Sequence, residues 1–197
     1  MTGDRQLSMR NRLLAFAVAS LGGAAAVLVS FAVSVYEAAH PEPLRTLAAG
    51  EPVDTGRWLL SVHDARIEDT PPTGRAPEEP KRFLTVGFEL DNRSAGTSAV
   101  PNLLLPDPPV AGLSEPQVYL ARDRQLAGGL HPDMPERLIA VWEWPQAQPL
   151  PQTIRLLIGS QIYKRRDNLY GASNWLDREP VAMVELPVAG RTGAPAR

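Results

Sequence analysis

The pattern of hydrophobic and polar positions changes character near residue 36. From Leu13 to Val35 the chain runs for 23 residues without a charge, whereas the later part consists of short runs in which apolar and polar residues alternate. A helix of that length measures roughly 34 Å, enough to cross a hydrocarbon core of about 30 Å. Residues 13–35 are therefore predicted to form a transmembrane helix.

Basic residues lie on one side of this predicted span. Arg5, Arg10 and Arg12 precede it, whereas residues 36–44 contain no arginine or lysine. Because positive charge is retained on the cytoplasmic side, residues 1–12 are predicted to be a cytoplasmic tail and the C-terminal part to be extracytoplasmic.

A cleaved export signal and a buried helix of a soluble protein are the alternatives. A signal peptide has a shorter apolar core and ends at a small-x-small site. Cleavage after Ala38 would place Tyr36 at the third position before the cut, and cleavage after Ala39 would place Glu37 there. Neither fits, and a soluble helix rarely needs this length, so an uncleaved signal-anchor in the cell membrane is favoured.

Beyond the span, alternation with a period of two predicts β-strands. The clearest is KRFLTVGFELDNRS, where Leu84, Val86, Phe88 and Leu90 share one face. In RLIAVWEWP, one face carries Leu138, Ala140, Trp142 and Trp144, and we expect both tryptophans to be buried. The other predicted strands lie in RWLLSVHDARIED, VPNLLLP, QVYLARD, TIRLLIG and PVAMVELPV.

The alternation in the predicted strands also indicates a bulge and a sheet arrangement. In the first strand, Trp58, Leu60 and Val62 are in phase, but the pattern then slips by one residue toward Ala65 and Ile67, which predicts a β-bulge. Prolines separate most of the runs, and crossover helices are not predicted. About seven short strands of this kind favour two packed antiparallel sheets.

The predicted domain organisation follows from these shifts in composition. Residues 36–55 mix proline, glycine and acidic residues, so we expect a linker that lifts the domain off the membrane. Residues 56–189 form the predicted extracytoplasmic β-sandwich, and residues 190–197 a flexible C-terminal tail.

Three signatures, in order, resemble a known family. VGFELDNRS is followed by VYLARD and then by GGLHPDMPERLIAVWEWP. This order is similar to that of immunoglobulin-like extracytoplasmic domains of unknown function on bacterial single-pass membrane proteins and lipoproteins. Asn92 and Ser94 match the family's N-x-S strand end, Leu130 and Pro132 its turn, and residues 141–145 its last strand. Asp133 stands where the family most often has glycine.

The resemblance covers residues 58–157 and implies a fold rather than an activity. It implies an all-β, immunoglobulin-like antiparallel β-sandwich of about seven strands, preceded by one transmembrane helix. This chain departs from the family in the length of its Pro-rich loop, residues 70–80, and the segment of residues 163–179 lies outside the family pattern. Such domains have no shared catalytic residues, so none is transferred to this chain.

Composition excludes several classes of function. The chain has no cysteine, which excludes disulfides, thiolate metal sites, a cysteine nucleophile and a lipid-accepting cysteine. Without the N-terminal tail it carries 17 basic and 21 acidic residues, a net charge of −4, which does not fit a nucleic-acid-binding surface.

A search for catalytic or metal-binding patterns finds no strong candidate. The three histidines are scattered, and His63 beside Asp64 is more typical of an ordinary strand residue than of a metal ligand or base. The acidic pairs Glu68-Asp69 and Glu78-Glu79 could bind calcium, but a solvated loop explains them more simply. Motifs for acyl transfer or nucleotide binding do not occur. No cofactor or metal is expected, and the protein is predicted not to be an enzyme.

The segment GSQIYKRRDNLYGASNWLDREP is the best candidate for a partner-binding surface. Its candidate residues combine positive charge with aromatic rings: Tyr163, Lys164, Arg165, Arg166, Tyr170 and Trp175. These residue types dominate interface hot spots. A protein partner, a cell-envelope polyanion and lipid headgroups all fit. In the alternative interpretation, Trp175 and Tyr170 cap the core while the cations stay solvated.

These observations predict a membrane-anchored extracytoplasmic accessory or interaction protein without catalytic activity of its own. Its expected partner is a membrane or cell-envelope protein, such as a transporter or an envelope-assembly complex, and not a nucleic acid. The alternative is an extracytoplasmic small-ligand or ion-binding sensor whose Pro-rich loops form a pocket. A hydrolase with a noncontiguous site is a third, less favoured hypothesis.

Overall fold

The computed structural model describes residues 27–36, 43–166 and 171–190. The chain divides into two compact units, Met1–Pro43 and Leu44–Arg197. In the first unit, residues 27–36 are helical. Four predicted features lie outside the described residues: the N-terminal tail, the rest of the predicted span, the tail after residue 190 and Tyr170. Within the described ranges, no helix is both long enough and apolar enough to span a membrane.

The second unit is built from β-strands, which confirms the all-β prediction for the domain. Its described residues form eleven strands: β1 Arg45–Leu47, β2 Pro52–Asp54, β3 Trp58–Glu68, β4 Phe83–Asn92, β5 Ser98–Ala99, β6 Leu104–Pro106, β7 Gln117–Leu120, β8 Gly129–Leu130, β9 Glu136–Glu143, β10 Thr153–Lys164 and β11 Asn174–Ala189.

Nine of the strands form one mixed sheet in the order β6-β10-β11-β3-β4-β9-β7, with β1 paired to β11 and β2 to β3. β5 and β8 form a separate two-stranded ladder. The sequence predicted two antiparallel sheets, but two parallel pairings change this. β1 runs parallel to β11, and the last residues of β11 run parallel to β3 at Ala65 and Arg66, which joins the two halves of the sheet.

One large hydrophobic core lies inside this sheet, and the period-two pattern explains its membership. Leu84, Val86, Phe88 and Leu90 of β4 are buried as predicted. β9 contributes Leu138, Ala140 and Trp142, and Trp144 follows directly; Trp142 and Trp144 are 1% and 4% exposed. The two tryptophans therefore share a buried face, as expected.

The predicted bulge is also present. The pairing of β3 with β4 shifts register between Val62 and Asp64, so His63 has no partner on β4. This extra residue allows Trp58, Leu60 and Val62 before it, and Ala65 and Ile67 after it, to face the same core.

The segment predicted as a linker, residues 36–55, differs from that expectation over its second half. β1 and β2 lie within it, and Leu47 is only 4% exposed. Arg45–Leu47 pair with Ala182–Val184 of β11, and Pro52–Asp54 pair with Leu59–Ser61 of β3. Three-residue strands are too short to give a periodic signal, so their partners rather than their own sequence fix them.

The residues that carry the family resemblance are brought together in space. Asn92 is fully buried, and its side-chain amide donates to the carbonyls of Gly96 and Leu130 at 2.9 and 2.8 Å. Its carbonyl side-chain oxygen accepts from the backbone N–H and hydroxyl of Ser94. Asp133 has a φ of 53°, the left-handed region where glycine is favoured.

Candidate functional site: the β10–β11 arm

The candidate segment is a two-stranded extension of the longest hairpin in the domain. Residues 160–164 of β10 pair with residues 174–178 of β11, from Ser160 opposite Arg178 to Lys164 opposite Asn174. Among the described strands, β6 pairs with β10 only at 156–158 and β1 with β11 only at 182–184. The two paired segments thus continue past their neighbours, and we call them the arm.

The arm holds three of the six predicted partner-binding residues, and two more follow it directly. Tyr163 and Trp175 are opposite each other, with ring centroids 5.3 Å apart. Lys164 ends β10, and Arg165 and Arg166 follow it in a bend; all three are exposed. Among the described residues, these three cations have no ion-pair or hydrogen-bond partner. We call Lys164, Arg165 and Arg166 the tip cations.

An arginine that sequence reasoning missed fixes the arm to the domain. The guanidinium carbon of Arg57 lies 5.5 Å from the ring centroid of Trp58 and 5.3 Å from that of Trp175. Its Nη2 also donates to the hydroxyl of Ser98. We call this contact of the Arg57 guanidinium with the rings of Trp58 and Trp175 the Arg57 sandwich. Because Trp175 and Ser98 are far from Arg57 in the sequence, no local pattern predicts it.

Burial of Arg57 has an electrostatic cost. Its Nε is buried and has no hydrogen-bond acceptor among the described residues. Desolvation lowers the pKa of the Arg57 guanidinium from its ordinary value. Contact with the two indole faces offsets part of this cost, because a cation is attracted to the electron-rich face of an aromatic ring.

The base of the arm is held by close backbone contact. The N–H of Gln161 donates to the carbonyl of Thr55 at 2.8 Å. Gly56 has a φ of 90°, and a Cβ placed on it would lie 2.0 Å from the carbonyl oxygen of Gln161. Only glycine fits there without a shift of the backbone.

The side chain of Gln161 continues this connection. Its amide oxygen accepts from the indole N–H of Trp58 at 3.1 Å, and its amide nitrogen donates to Asp177 at 2.9 Å. The base of the arm is therefore bonded to β3, whereas its far end is not covered by any described residue.

The side chains of the arm differ in exposure. Trp175 is half-buried and packs on Arg57, while the tip cations remain in solvent. The other face and the far end expose apolar area, since Ile162 is 48% and Tyr163 49% exposed. The arm therefore combines exposed positive charge with exposed apolar surface.

The remaining candidates from the sequence do not form a cluster. Among the described residues, no group of three or more His, Asp or Glu side chains is close enough to hold a metal ion. His63 is half-buried at the bulge, and its Nε2 has no partner within the described part of the chain. The pairs Glu68-Asp69 and Glu78-Glu79 lie in or beside the Pro-rich loop.

A groove of about 480 Å³ lies against the face of the sheet that points away from the core. Thr85, Gly87 and Ile139 contribute to its lining from β4 and β9, and Pro71 and Pro72 of the Pro-rich loop contribute another part. Arg124 has a φ of 61° and donates to the carbonyl of Pro72 at 3.2 Å, so it connects two lining segments.

Comparison with known proteins adds no relative. Neither a family model, nor a curated protein, nor a solved structure matches this chain.

Proposed function

We propose that this protein is a single-pass, membrane-anchored extracytoplasmic interaction module, with its N-terminus in the cytoplasm and no catalytic activity of its own. The arm is its contact surface, and the partner is a membrane or cell-envelope protein. The observation that carries the proposal is the arm itself, where three exposed cations with no partner among the described residues lie beside half-exposed Ile162 and Tyr163.

The helical residues 27–36 support the anchor. Their large side chains are apolar and at least 49% exposed: Val27, Leu28, Val29, Phe31, Val33, Val35 and Tyr36. A helix that is apolar on all sides needs either a protein core or a lipid environment around it. Together with the uncharged run from Leu13, this exposure favours lipid.

The strand order supports an immunoglobulin-like topology. Immunoglobulin domains have one sheet of strands A-B-E-D and another of strands C-F-G. Seven strands can be lettered A to G in chain order: β3, β4, β6, β7, β9, β10 and β11. The observed path then reads C-F-G followed by A-B-E-D. β1, β2, β5 and β8 are short additions to this scheme.

Site-specific photo-crosslinking in the native membrane tests the proposal. A photoreactive residue is placed at Tyr163 in the arm and, as a matched control, at exposed Glu185 in the covered part of β11. We expect a discrete adduct with a membrane or envelope protein from position 163 only. Identical adducts at both positions, no adduct at all, or extraction of the chain by alkaline carbonate would contradict the proposal.

The groove favours a second function, that of a small-ligand sensor. Among its lining cations, Arg66 is paired with Asp64 and Arg137 with Glu89, so Arg124 is the cation that an anionic small molecule would contact. A ligand that binds only the folded protein raises the melting temperature by mass action. A screen of small carboxylates on the full chain and on Arg124→Ala tests this; a shift that persists in Arg124→Ala would argue against the groove.

A further inference from the structure

We propose that the arm binds its partner by strand addition, in which an extended, acidic segment of the partner protein hydrogen-bonds to the edge of β10 at Tyr163. The inference rests on the proposed function of the arm and deepens it, because it names the mode of contact and the charge of the partner segment. It follows from three properties of the described residues: the direction of the β10 backbone groups, the point at which their neighbours end, and the charge beside that point. We call the side of β10 that faces away from β11 its outer edge.

The direction of the Tyr163 backbone groups follows from the β10–β11 register. In an antiparallel pair, the N–H and C=O groups of alternate residues point toward the partner strand and away from it. The N–H of Gln161 donates to the carbonyl of Thr55 at 2.8 Å, so it points away from β11. The arm pairs one to one, and the extra residues of the register shift, 179–181, lie on β11 opposite Gly159. The alternation along β10 is therefore unbroken, and the N–H and C=O of Tyr163 also point to the outer edge.

Neighbouring segments cover the outer edge only up to the residue before the tip. Residues 103–107 bond to it as far as Gly159, and Thr55 accepts from the next outward N–H. The chain turns back directly after Thr55, whose N–H donates to the carbonyl of Trp58 at 2.8 Å. Within the described ranges, no donor or acceptor meets the backbone groups of Tyr163. The outer edge is therefore free at this position.

A free edge of this kind is a template for another strand. Unpaired N–H and C=O groups at a sheet edge pair readily with an extended chain. A short strand is enough in this sheet, since β6 pairs with the same edge through the three residues Leu104–Pro106. Ile162 and Tyr163 are 48% and 49% exposed, and adjacent strand residues point to opposite faces, so an added strand would find apolar surface on both.

The charge around this position selects an acidic segment. Residues 160–166 and 174–178 carry four basic side chains and one acidic side chain, Asp177. Asp177 accepts from the side-chain amide of Gln161 at 2.9 Å, whereas the tip cations have no partner in the described part of the chain. Complementary charge selects a partner and fixes its register. Cations at a free edge can instead keep other strands away, and the two roles predict opposite effects of removing them.

Photo-crosslinking in the native membrane measures what one backbone N–H contributes. A photoreactive residue at Ile162 is combined with Tyr163→Pro, which removes the outward N–H, or with Tyr163→Ala, which removes the same ring but keeps the N–H. Proline is tolerated on edge strands where the N–H faces outward. We expect the adduct to persist in Tyr163→Ala and to fall about ten-fold in Tyr163→Pro, because one hydrogen bond to the partner is lost.

The ladder of the arm must remain intact in Tyr163→Pro. The amides of Ile162 and Lys164 point toward β11, so their hydrogen exchange should be unchanged. If it changes, the α-hydroxy acid analogue of tyrosine at position 163 replaces the proline, since it removes the N–H and keeps the ring. Equal adducts with and without the N–H would overturn the inference and leave the proposed function intact. No adduct in the parent chain would contradict the proposed function itself, and the inference with it.

A fluorescent peptide in which glutamate alternates with valine tests the charge of the partner segment. Its binding to the full chain in neutral detergent is measured by anisotropy. The controls are the same peptide with methylated backbone nitrogens and one with lysine in place of glutamate. We expect the glutamate peptide to bind about ten-fold more tightly than either control.

That binding should weaken in about 1 M salt, where the Debye length falls to about 3 Å, and after Lys164→Ala, Arg165→Ala and Arg166→Ala together. Equal binding of the methylated peptide would mean that charge alone is recognised. Tighter binding by the triple variant would mean that the cations protect the edge. Self-association of the chain that Tyr163→Pro abolishes would assign the edge to a second copy. Each of these three results would overturn the inference.

Discussion

The two halves of the β10–β11 hairpin have the same hydrogen-bonding pattern but different surroundings. In the covered half, residues 153–158 pair with residues 182–187, and β6 and β1 lie on either side. In the arm, residues 160–164 pair with residues 174–178, without those neighbours. The register shift between Ile158 and Ser160 separates the two halves. The difference predicts that substitutions in the covered half lower the stability of the domain more than substitutions in the arm.

The largest expected difference concerns one aliphatic side chain in each half. Leu156 is fully buried, whereas Ile162 is 48% exposed. Leu156→Ala should lower the free energy of unfolding by about 3 kcal/mol, since it removes buried methyl groups and leaves a cavity. Ile162→Ala should change it by less than about 0.5 kcal/mol. Denaturation of the full chain in detergent, followed by tryptophan fluorescence, measures both; similar losses would mean that the arm belongs to the core.

The next prediction concerns the junction between the halves. Gly56→Ala should cost about 2 kcal/mol or more, because the added Cβ would meet the Gln161 carbonyl in addition to the strain of a positive φ. Gly74→Ala is the matched control, since Gly74 has a φ of 75° but nothing within 4 Å of the added Cβ. It should cost only about 1 kcal/mol. Equal losses in the two variants would show that the contact with Gln161 does not hold the base of the arm.

The covered half was largely predictable from sequence because its burial is one-sided and periodic. Ile154, Leu156, Ile158, Ala182, Val184 and Leu186 alternate with exposed or half-exposed residues, and all six are buried. The same logic predicted the β4 and β9 faces and the bulge in β3. Alternation of apolar and polar residues marks a strand with one buried face. It therefore predicts strands correctly wherever a second layer of the domain covers that face.

The parallel pairings and the base of the arm were not predictable in this way. Strand pairings of only two or three residues, such as that of Val188 with Ala65, are too short to produce a periodic pattern in the sequence. Arg57 meets Trp175 across 118 positions of sequence, and Gly56 meets Gln161 across 105. The composition of the segment after Ser160 indicated a surface for contact, but not that residues 160–164 and 174–178 continue the β10–β11 ladder.

A smaller effect is expected at the Arg57 sandwich. Trp175→Ala removes one of the two rings around the guanidinium and should reduce the protection of arm amides against hydrogen exchange by about five- to ten-fold, corresponding to about 1 kcal/mol. Trp175→Phe keeps an aromatic face and should retain most of the protection. Amides of the covered half, such as that of Leu156, should be unaffected in both variants. Uniform loss across both halves would mean that the arm does not open separately.

The smallest effect on stability is expected from the tip cations. Replacing Lys164, Arg165 and Arg166 by alanine should change the free energy of unfolding by less than about 0.5 kcal/mol, because these side chains have no partners among the described residues. Arg155 in the covered half is the control: it lies 3.5 Å from Asp107 and 3.9 Å from Glu185. Arg155→Ala should cost up to about 1 kcal/mol at low salt and less at high salt, since exposed ion pairs are screened. A salt-dependent loss of that size in the tip variant would mean that the three cations stabilise the domain. Their charge would then be explained by the fold, and a protein partner would not be needed to account for it.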